Sequence, residues 1–237
     1  MNIKYFDIPA RGYLLPDNRQ RLAAIMPLAD TLPVGETPPP TCDYSWLACT
    51  HTDNQGKNPW CGAYDGVEMI QVIYTWKGHT PPDSWGDGMS EMLYNAAKVV
   101  DGEPGKQNGT SHTSVIEGMI NLGWLYPEAK ADFYASPDDR LKWGLIRRGY
   151  VMLGANITDG WGALENGDTI TSGRRKLGGH SIGVVGYDDF RGAWLILNWW
   201  NVWGFKKQIR SGWRYGFAWY PYEIAKKEFM TANSLYS

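Results

Sequence analysis

Apolar side chains recur over residues 61–76 at spacings of one to four: Ala63, Val67, Met69, Ile70, Val72, Ile73 and Trp76. That pattern predicts a largely buried helix starting at Cys61. Further helices are predicted over 89–99, from a Thr110 or Ser111 cap to Leu122 with Gly123 just past the end, and over 138–148 with Gly149 as the stop. Beyond Gly149 the pattern becomes that of strands, over 150–157, 181–187, 193–198 and 214–220, separated by Gly and Asp clusters. Residues 78–88 and 101–109 read as loops. Helices in the first half and strands in the second predict an α+β protein of two lobes. Before this lies a stretch broken by Pro9, Pro16, Pro27, Pro33 and Pro38-Pro39-Pro40. It predicts an irregular arm over 1–41, with one short helix over 19–26, ahead of a domain over 42–237.

Composition then removes several classes of partner. A formal charge of -2 offers no electrostatic surface for nucleic acid or anionic lipid. The longest apolar runs, such as 194–197, are too short to cross a bilayer. The first residues show no Sec-type export signal, so the chain is expected in the cytoplasm or carried in a particle. The 13 Trp and 14 Tyr bring contact area with a polar tip, suited to clefts as well as to the core. Of the three cysteines, Cys42, Cys49 and Cys61, at least one cannot pair within the chain; Cys42 and Cys49 could bridge each other or both stay reduced.

Candidate chemistry gathers in three segments. Cys61 stands where a loop with Gly56 and Pro59 meets the predicted helix, and a thiol at a helix N-terminus has its thiolate stabilised. Gln55, six residues earlier, carries an amide NH2 that can donate to an oxyanion beside Cys61, together with the Cys61 backbone N–H. His180 follows Gly178-Gly179 at the mouth of an apolar strand, and Asn198 ends the next strand, 18 residues on. A hairpin of that size brings the two together, and Asn can fix the imidazole tautomer. Tryptophans at 200 and 203 are placed to cover that bond. Each residue also has a plainer reading: an inert core thiol, a structural histidine, a turn asparagine. The other histidines, His51, His79 and His112, lie in polar or turn-like stretches and read as surface residues.

The order Gln, Cys, His, Asn resembles the papain-type cysteine peptidases. The stretch from Asp53 to Tyr64 resembles the family's Asp-Gln-Gly-x-x-Gly-Ser-Cys-x-Ala-Phe segment, with the Gln-to-Cys step kept at Gln55 and Cys61. Gly178-Gly179-His180 through Tyr187 resembles Gly-Gly-His-Ala-Val-x-x-Val-Gly-Tyr. Asn198, Trp200, Trp203 and Gly204 resemble Asn-Ser-Trp-Gly-x-x-Trp-Gly. The closing stretch from Tyr215 to Tyr222 looks like a strand common in bacterial and viral relatives. The resemblance implies a two-lobed papain-like fold, a helical lobe packed against an antiparallel β lobe with the active-site cleft between. It implies a cysteine endopeptidase acting on peptide or protein substrates without a cofactor or metal, with Cys61, His180, Asn198 and Gln55 catalytic. Gly109, Trp60 and Trp200 are the implied substrate contacts, and Trp85, Trp161 and Trp199 further candidates for cleft walls.

The sequence departs from the family around the triad, with Pro59-Trp60 for Gly-Ser before the nucleophile, Gly62 after it, and Trp199 for Ser after Asn198. These changes leave room for a catalytically weak or inactive module, for example one assembled into a virus particle. An acyltransferase or deamidase could use the same thiol–imidazole pair. Cys42, Cys49, His51 and Cys61 also place four zinc-competent side chains within 20 residues, though without a Cys-x2-Cys pair.

Overall fold

A computed structural model describes residues 36–48, 53–79, 81, 85, 87–127, 129–162, 164, 168–210 and 212–236. The segment 1–35, with the short helix expected over 19–26, lies outside them. The first lobe holds α1 (Cys61–Trp76), α2 (Asp87–Val100) and α3 (His112–Asn121). The second is an antiparallel sheet of eight strands: β1 (Thr41–Asp43), β2 (Lys130–Tyr134), β3 (Val151–Thr158), β4 (Lys176–Asp188), β5 (Ala193–Leu197), β6 (Phe205–Ile209), β7 (Gly212–Pro221) and β8 (Phe229–Tyr236). They run in the order β2-β8-β3-β4-β5-β7-β6, with β1 added on β4. Among the described residues two more α-helices, α4 (Asp139–Arg148) and α5 (Tyr222–Glu228), pack on the sheet.

Local chemistry explains the helix limits. Ser111 caps α3 by accepting from the Ser114 N–H at 3.1 Å, and Asp138 caps α4 by accepting from the Arg140 N–H. Gly149 ends α4 in the left-handed conformation, φ 73°. Helix α1 is buried almost all round. A Cβ on Gly66 would lie 2.6 Å from Val115 and 2.9 Å from Leu93, so the glycine lets α2 and α3 close on α1.

The sheet is covered on both faces. Leu47, Val67, Leu93, Val115, Met119, Met152, Leu195, Leu197 and Phe217 form one core under the helical lobe. Leu141, Leu145, Val151, Leu153, Ile157, Ile182, Trp194 and Tyr220 form a second, under α4 and α5. Val151 and Leu153 face one core and Met152 the other, the period-two alternation of a strand buried on both sides. Each such side chain stabilises the fold by about 1.5–3 kcal/mol through burial.

The four expected strands and four expected helices within the described residues are present with ends shifted by one or two residues, except that β4 begins five residues earlier. Four strands and one helix were not expected: β1, β2, β6, β8 and α5. Strand β8 is the instructive case. Thr231, Asn233 and Ser234 are all buried, so three of the five positions over 231–235 that turn inward read as polar. Among the described residues no helix is long and apolar enough to cross a membrane.

Candidate active site

The loop holding Gln55 and the loop holding Asn198 are stitched together. The Gln55 N–H donates to the Trp199 carbonyl (2.9 Å), the Asn201 N–H donates to the Asp53 carbonyl (3.0 Å), and Asn54 bridges to Trp200. Arg214 of β7, fully buried, donates to Asp53 Oδ2 (3.0 Å) and Glu68 Oε2 (2.8 Å), tying this pair of loops to α1. A planar guanidinium fork can serve two carboxylates at once.

Cys61 is the first residue of α1, behind Trp60 at the cap position, and no side chain caps that end. The thiol is fully buried. Burial pushes its pKa up to about 12; Asp65 adds to the rise, while backbone hydrogen bonds from Ser181, Gly62 and Cys61 itself favour the thiolate.

His180 lies on β4 opposite Ala155 of β3. Asn198 follows β5 and donates its backbone N–H to the Gly216 carbonyl (2.9 Å). Gly216 has φ 103°, and a Cβ there would sit 2.6 Å from the Asn198 carbonyl, so this approach requires glycine. His180 Nε2 is 2.8 Å from Asn198 Oδ1. The Trp199 backbone N–H donates to the same Oδ1 at 2.8 Å, which fixes the amide oxygen on that side. The ring therefore carries its hydrogen on Nε2, and Nδ1 is a bare lone pair when the ring is neutral. Nδ1 is buried and has no hydrogen-bond partner among the described residues, Cys61 included. Burial pushes the imidazole down to about 4, against the Asn198 bond, so the ring is neutral at pH 7. Trp200 stacks on it with centroids 4.7 Å apart, and Trp161 presents an edge at 6.3 Å. The two indoles shield the His180–Asn198 bond from water.

Gln55 is fully buried in the loop before Cys61. One amide hydrogen goes to the Asn58 carbonyl (2.8 Å), its Oε1 has no partner among the described residues, and a second amide hydrogen remains for another acceptor. Trp60 packs on Tyr94 with centroids 5.8 Å apart and donates Nε1 to Gln107 Oε1 (3.2 Å), two residues before Gly109. Gly109 has φ 86°, and its carbonyl accepts from the buried Lys98 ammonium (3.0 Å).

No protein-family description matches the sequence, and no curated protein does. Solved structures do. Xylellain, a cysteine protease from Xylella fastidiosa, superposes with a TM-score of 0.63 at 16% identity, over 96% of this chain and 92% of that one. A procathepsin B from Trypanosoma congolense gives 0.68 at 12% identity, over 97% and 87%. The fold is papain-like. Bromelain from Ananas comosus, solved with the E64 inhibitor, gives 0.56 at 16% identity over 83% and 98%.

Several expectations need correction within this papain-like fold. Trp161 and Trp199 are fully buried core residues and not cleft walls: Trp161 donates its indole N–H to Glu228, and Trp199 donates its own to the Ser181 carbonyl. Trp85 packs on Tyr74 near the far end of α1, about 20 Å along the helix from Cys61 at 1.5 Å per residue. His112 is not a surface residue but is buried between lobes. Its place directly after the Ser111 cap made it look like part of a turn. Cys42 carries a free thiol. Cys49 and His51 lie outside the described residues, and among those described no three side chains are grouped to hold a metal.

Sequence reasoning also passed over Asp65, Ser181, Asn233 and Arg214, all buried around the site. Asp65 left a signal, a carboxylate one helical turn after Cys61 in a helix whose apolar pattern already predicted burial all round.

Proposed function

We propose that this chain is a cysteine endopeptidase, with Cys61 as nucleophile, His180 as base and Asn198 holding the base in its working tautomer. The observation that carries this reading is the state of His180: Nε2 is committed to Asn198, while Nδ1 is a buried lone pair left without a partner. An unsatisfied buried acceptor costs about 1–3 kcal/mol and calls for an explanation. A base held ready for the thiol proton supplies one.

The chemistry follows from these atoms. The Cys61 proton passes to His180 Nδ1 while sulfur bonds to the carbonyl carbon of a peptide. Transfer within the pair takes up and releases no proton, so thiolate and imidazolium form together and each offsets the other's burial cost. The second amide hydrogen of Gln55 and the Cys61 N–H stabilise the oxyanion. Collapse breaks the C–N bond, and Nδ1–H protonates the leaving amine. Nδ1 then takes a proton from water, whose oxygen attacks the thioester and releases the acid and the free thiol. Gly109, Trp60 and Trp200 would contact the substrate backbone and side chains. The E64 inhibitor carried by bromelain supports a peptide-like substrate and makes that compound a suitable probe. The stretch from Tyr215 to Tyr222 supports a place near the bacterial and viral relatives, and a role inside a virus particle is compatible with it.

A second reading has its own support. Cys61 and His180 are both fully buried, and no hydrogen bond joins them. That fits a binding module that keeps the fold without turnover. A thiol-directed epoxide such as E64 decides between them, with the adduct located by mass spectrometry. Selective modification of Cys61 that is lost in His180→Ala supports the peptidase. Modification of Cys61 no faster than of Cys42 or Cys49, in folded protein, leaves the binding module.

A further inference from the structure

Directly behind the nucleophile lies a chain of polar side chains that the reaction above does not use. Asp65 of α1 is fully buried, one turn beyond Cys61. Its Oδ1 accepts from the Tyr150 hydroxyl (2.7 Å), and its Oδ2 lies 2.5 Å from Ser181 Oγ. Ser181 Oγ is also 2.7 Å from Nε2 of His112, at the head of α3. His112 Nδ1 is 3.1 Å from Asn233 Oδ1 on β8. The Asn233 NH2 points to the Asp132 carbonyl of β2 (3.4 Å), which leaves its oxygen facing the ring. Elements from both lobes meet here, and Ser181 is the residue after His180.

Counting hydrogens constrains this chain. Asn233 presents an acceptor, so His112 Nδ1 carries a hydrogen. Ser181 has one hydroxyl hydrogen for two short contacts. If His112 is neutral, its bare Nε2 takes that hydrogen, and the 2.5 Å contact to Asp65 then needs a hydrogen on the carboxyl. If Nε2 is protonated instead, it donates to Ser181, and the hydroxyl donates to an Asp65 carboxylate. Both arrangements hold the same number of protons, one more than a carboxylate beside a neutral imidazole. Without that proton, two acceptors would face one hydrogen in a buried site. Burial raises Asp65 well above the usual carboxylate range and pushes His112 down to about 3, so the proton resides on Asp65. Among the described residues, the charged and titratable groups facing Asp65 include Glu68 on α1, paired with Arg214 of β7, the Tyr150 phenol and the thiol of Cys61.

We propose that Asp65, Ser181, His112 and Asn233 form a buried proton-holding chain that positions Ser181 and His180 against Cys61 and keeps negative charge off the first turn of the nucleophile's helix. Ser181 is the joint: its side chain sits in the chain, and its backbone hydrogen-bonds the Cys61 thiol. The other side of the chain is closed by Tyr150, which crosses Gly183, where a Cβ would lie 2.2 Å from the Tyr150 hydroxyl. These are positioning residues. The consequence for reactivity rests on the peptidase reading above; the proton count does not.

The test compares wild type with Asp65→Asn, whose amide N–H replaces the acid O–H and needs no extra proton. The sign follows from the raised carboxyl: native protein keeps the proton, while the unfolded chain releases it above 3.8. Rising pH therefore costs wild type stability but not the variant. In urea unfolding from about pH 5 to about pH 8, the folding constant of Asp65→Asn relative to wild type should rise about tenfold per pH unit while the native acid stays protonated. Cys61 alkylation by the epoxide should be within about threefold of wild type in Asp65→Asn, and about five- to hundredfold slower in folded Asp65→Ala or Ser181→Ala, the loss expected when a buried partner is removed. Parallel stability profiles would overturn the shared proton. An Asn variant as slow as the Ala variant would overturn the positioning role. A wild type without selective Cys61 labelling would sink the peptidase reading alone, because the stability profiles read the chain independently.

Discussion

Two buried histidines each have an asparagine oxygen on one ring nitrogen, and they differ at the other nitrogen. His180 faces Asn198 through Nε2 and leaves Nδ1 empty. His112 faces Asn233 through Nδ1 and has Ser181 on Nε2. Burial favours the neutral form of both, to about 4 and about 3 respectively. The same residue pair thus serves two purposes. Where every polar atom is matched, the pair locks two lobes together. Where the second ring nitrogen is left unmatched, the pair is ready to accept a proton from a reactant, at the cost of a buried acceptor without a partner; Asn198 Nδ2 is likewise without one among the described residues.

Substituting each histidine should separate these purposes most sharply. His180→Ala should slow epoxide labelling of Cys61 by about 10²–10⁴-fold, the usual worth of a positioned base, measured by timed mass spectrometry. His112→Ala should instead act on stability, losing about 2–4 kcal/mol in urea unfolding from the cavity and the stranded Asn233 and Ser181 groups. Equal labelling losses in both variants, with both folded, would erase the distinction.

The buried ion pair gives an effect of similar size on stability. Arg214→Ala leaves Asp53 and Glu68 without their guanidinium and should cost about 3–5 kcal/mol, read by urea unfolding. Because Asp53 belongs to the loop bridged to Trp200, labelling of Cys61 should fall as well.

Acid gives a smaller, signed effect. The folded-state pKa of His180 lies below its ordinary 6.5, so the unfolded chain takes up a proton there first. Its stabilisation is fully present above 6.5 and is lost as pH falls toward 4. His180→Gln should therefore flatten the stability profile by about 1.4 kcal/mol per pH unit within that window, measured as the difference in urea midpoints. A profile parallel to wild type would mean that His180 is charged in the folded protein. Smaller again is Trp200→Leu, which should cost about 0.5–1.5 kcal/mol of ring stacking, seen as a modest fall in melting temperature.

The difference between the two histidines also shows what could be read from the chain. His180 and Asn198 were legible because each ends or begins an apolar strand and the 18-residue step is a hairpin. Cys61 was legible because a loop meets a helix there. His112 was not, because its burial depends on β8, where Asn233 and Ser234 turn inward and make a core strand read as a polar tail. The helical lobe was legible through its caps, Ser111 and Asp138, and through Gly149. Strand β6 was missed because its burial is partial, with Lys207 standing between Phe205 and Ile209 on the inward face, where it pairs with Asp43. The tryptophans misled for a related reason. An indole needs only one acceptor to be buried whole, and Trp161 and Trp199 each have one.

The most direct test of the contrast is to assign both imidazole tautomers by NMR on protein with nitrogen-labelled histidines near neutral pH. The account predicts two neutral rings of opposite tautomer, His180 with its hydrogen on Nε2 and His112 with its hydrogen on Nδ1. The same tautomer on both rings, or a hydrogen on Nδ1 of neutral His180, would contradict it, because the nitrogen proposed to receive the Cys61 proton would already be filled.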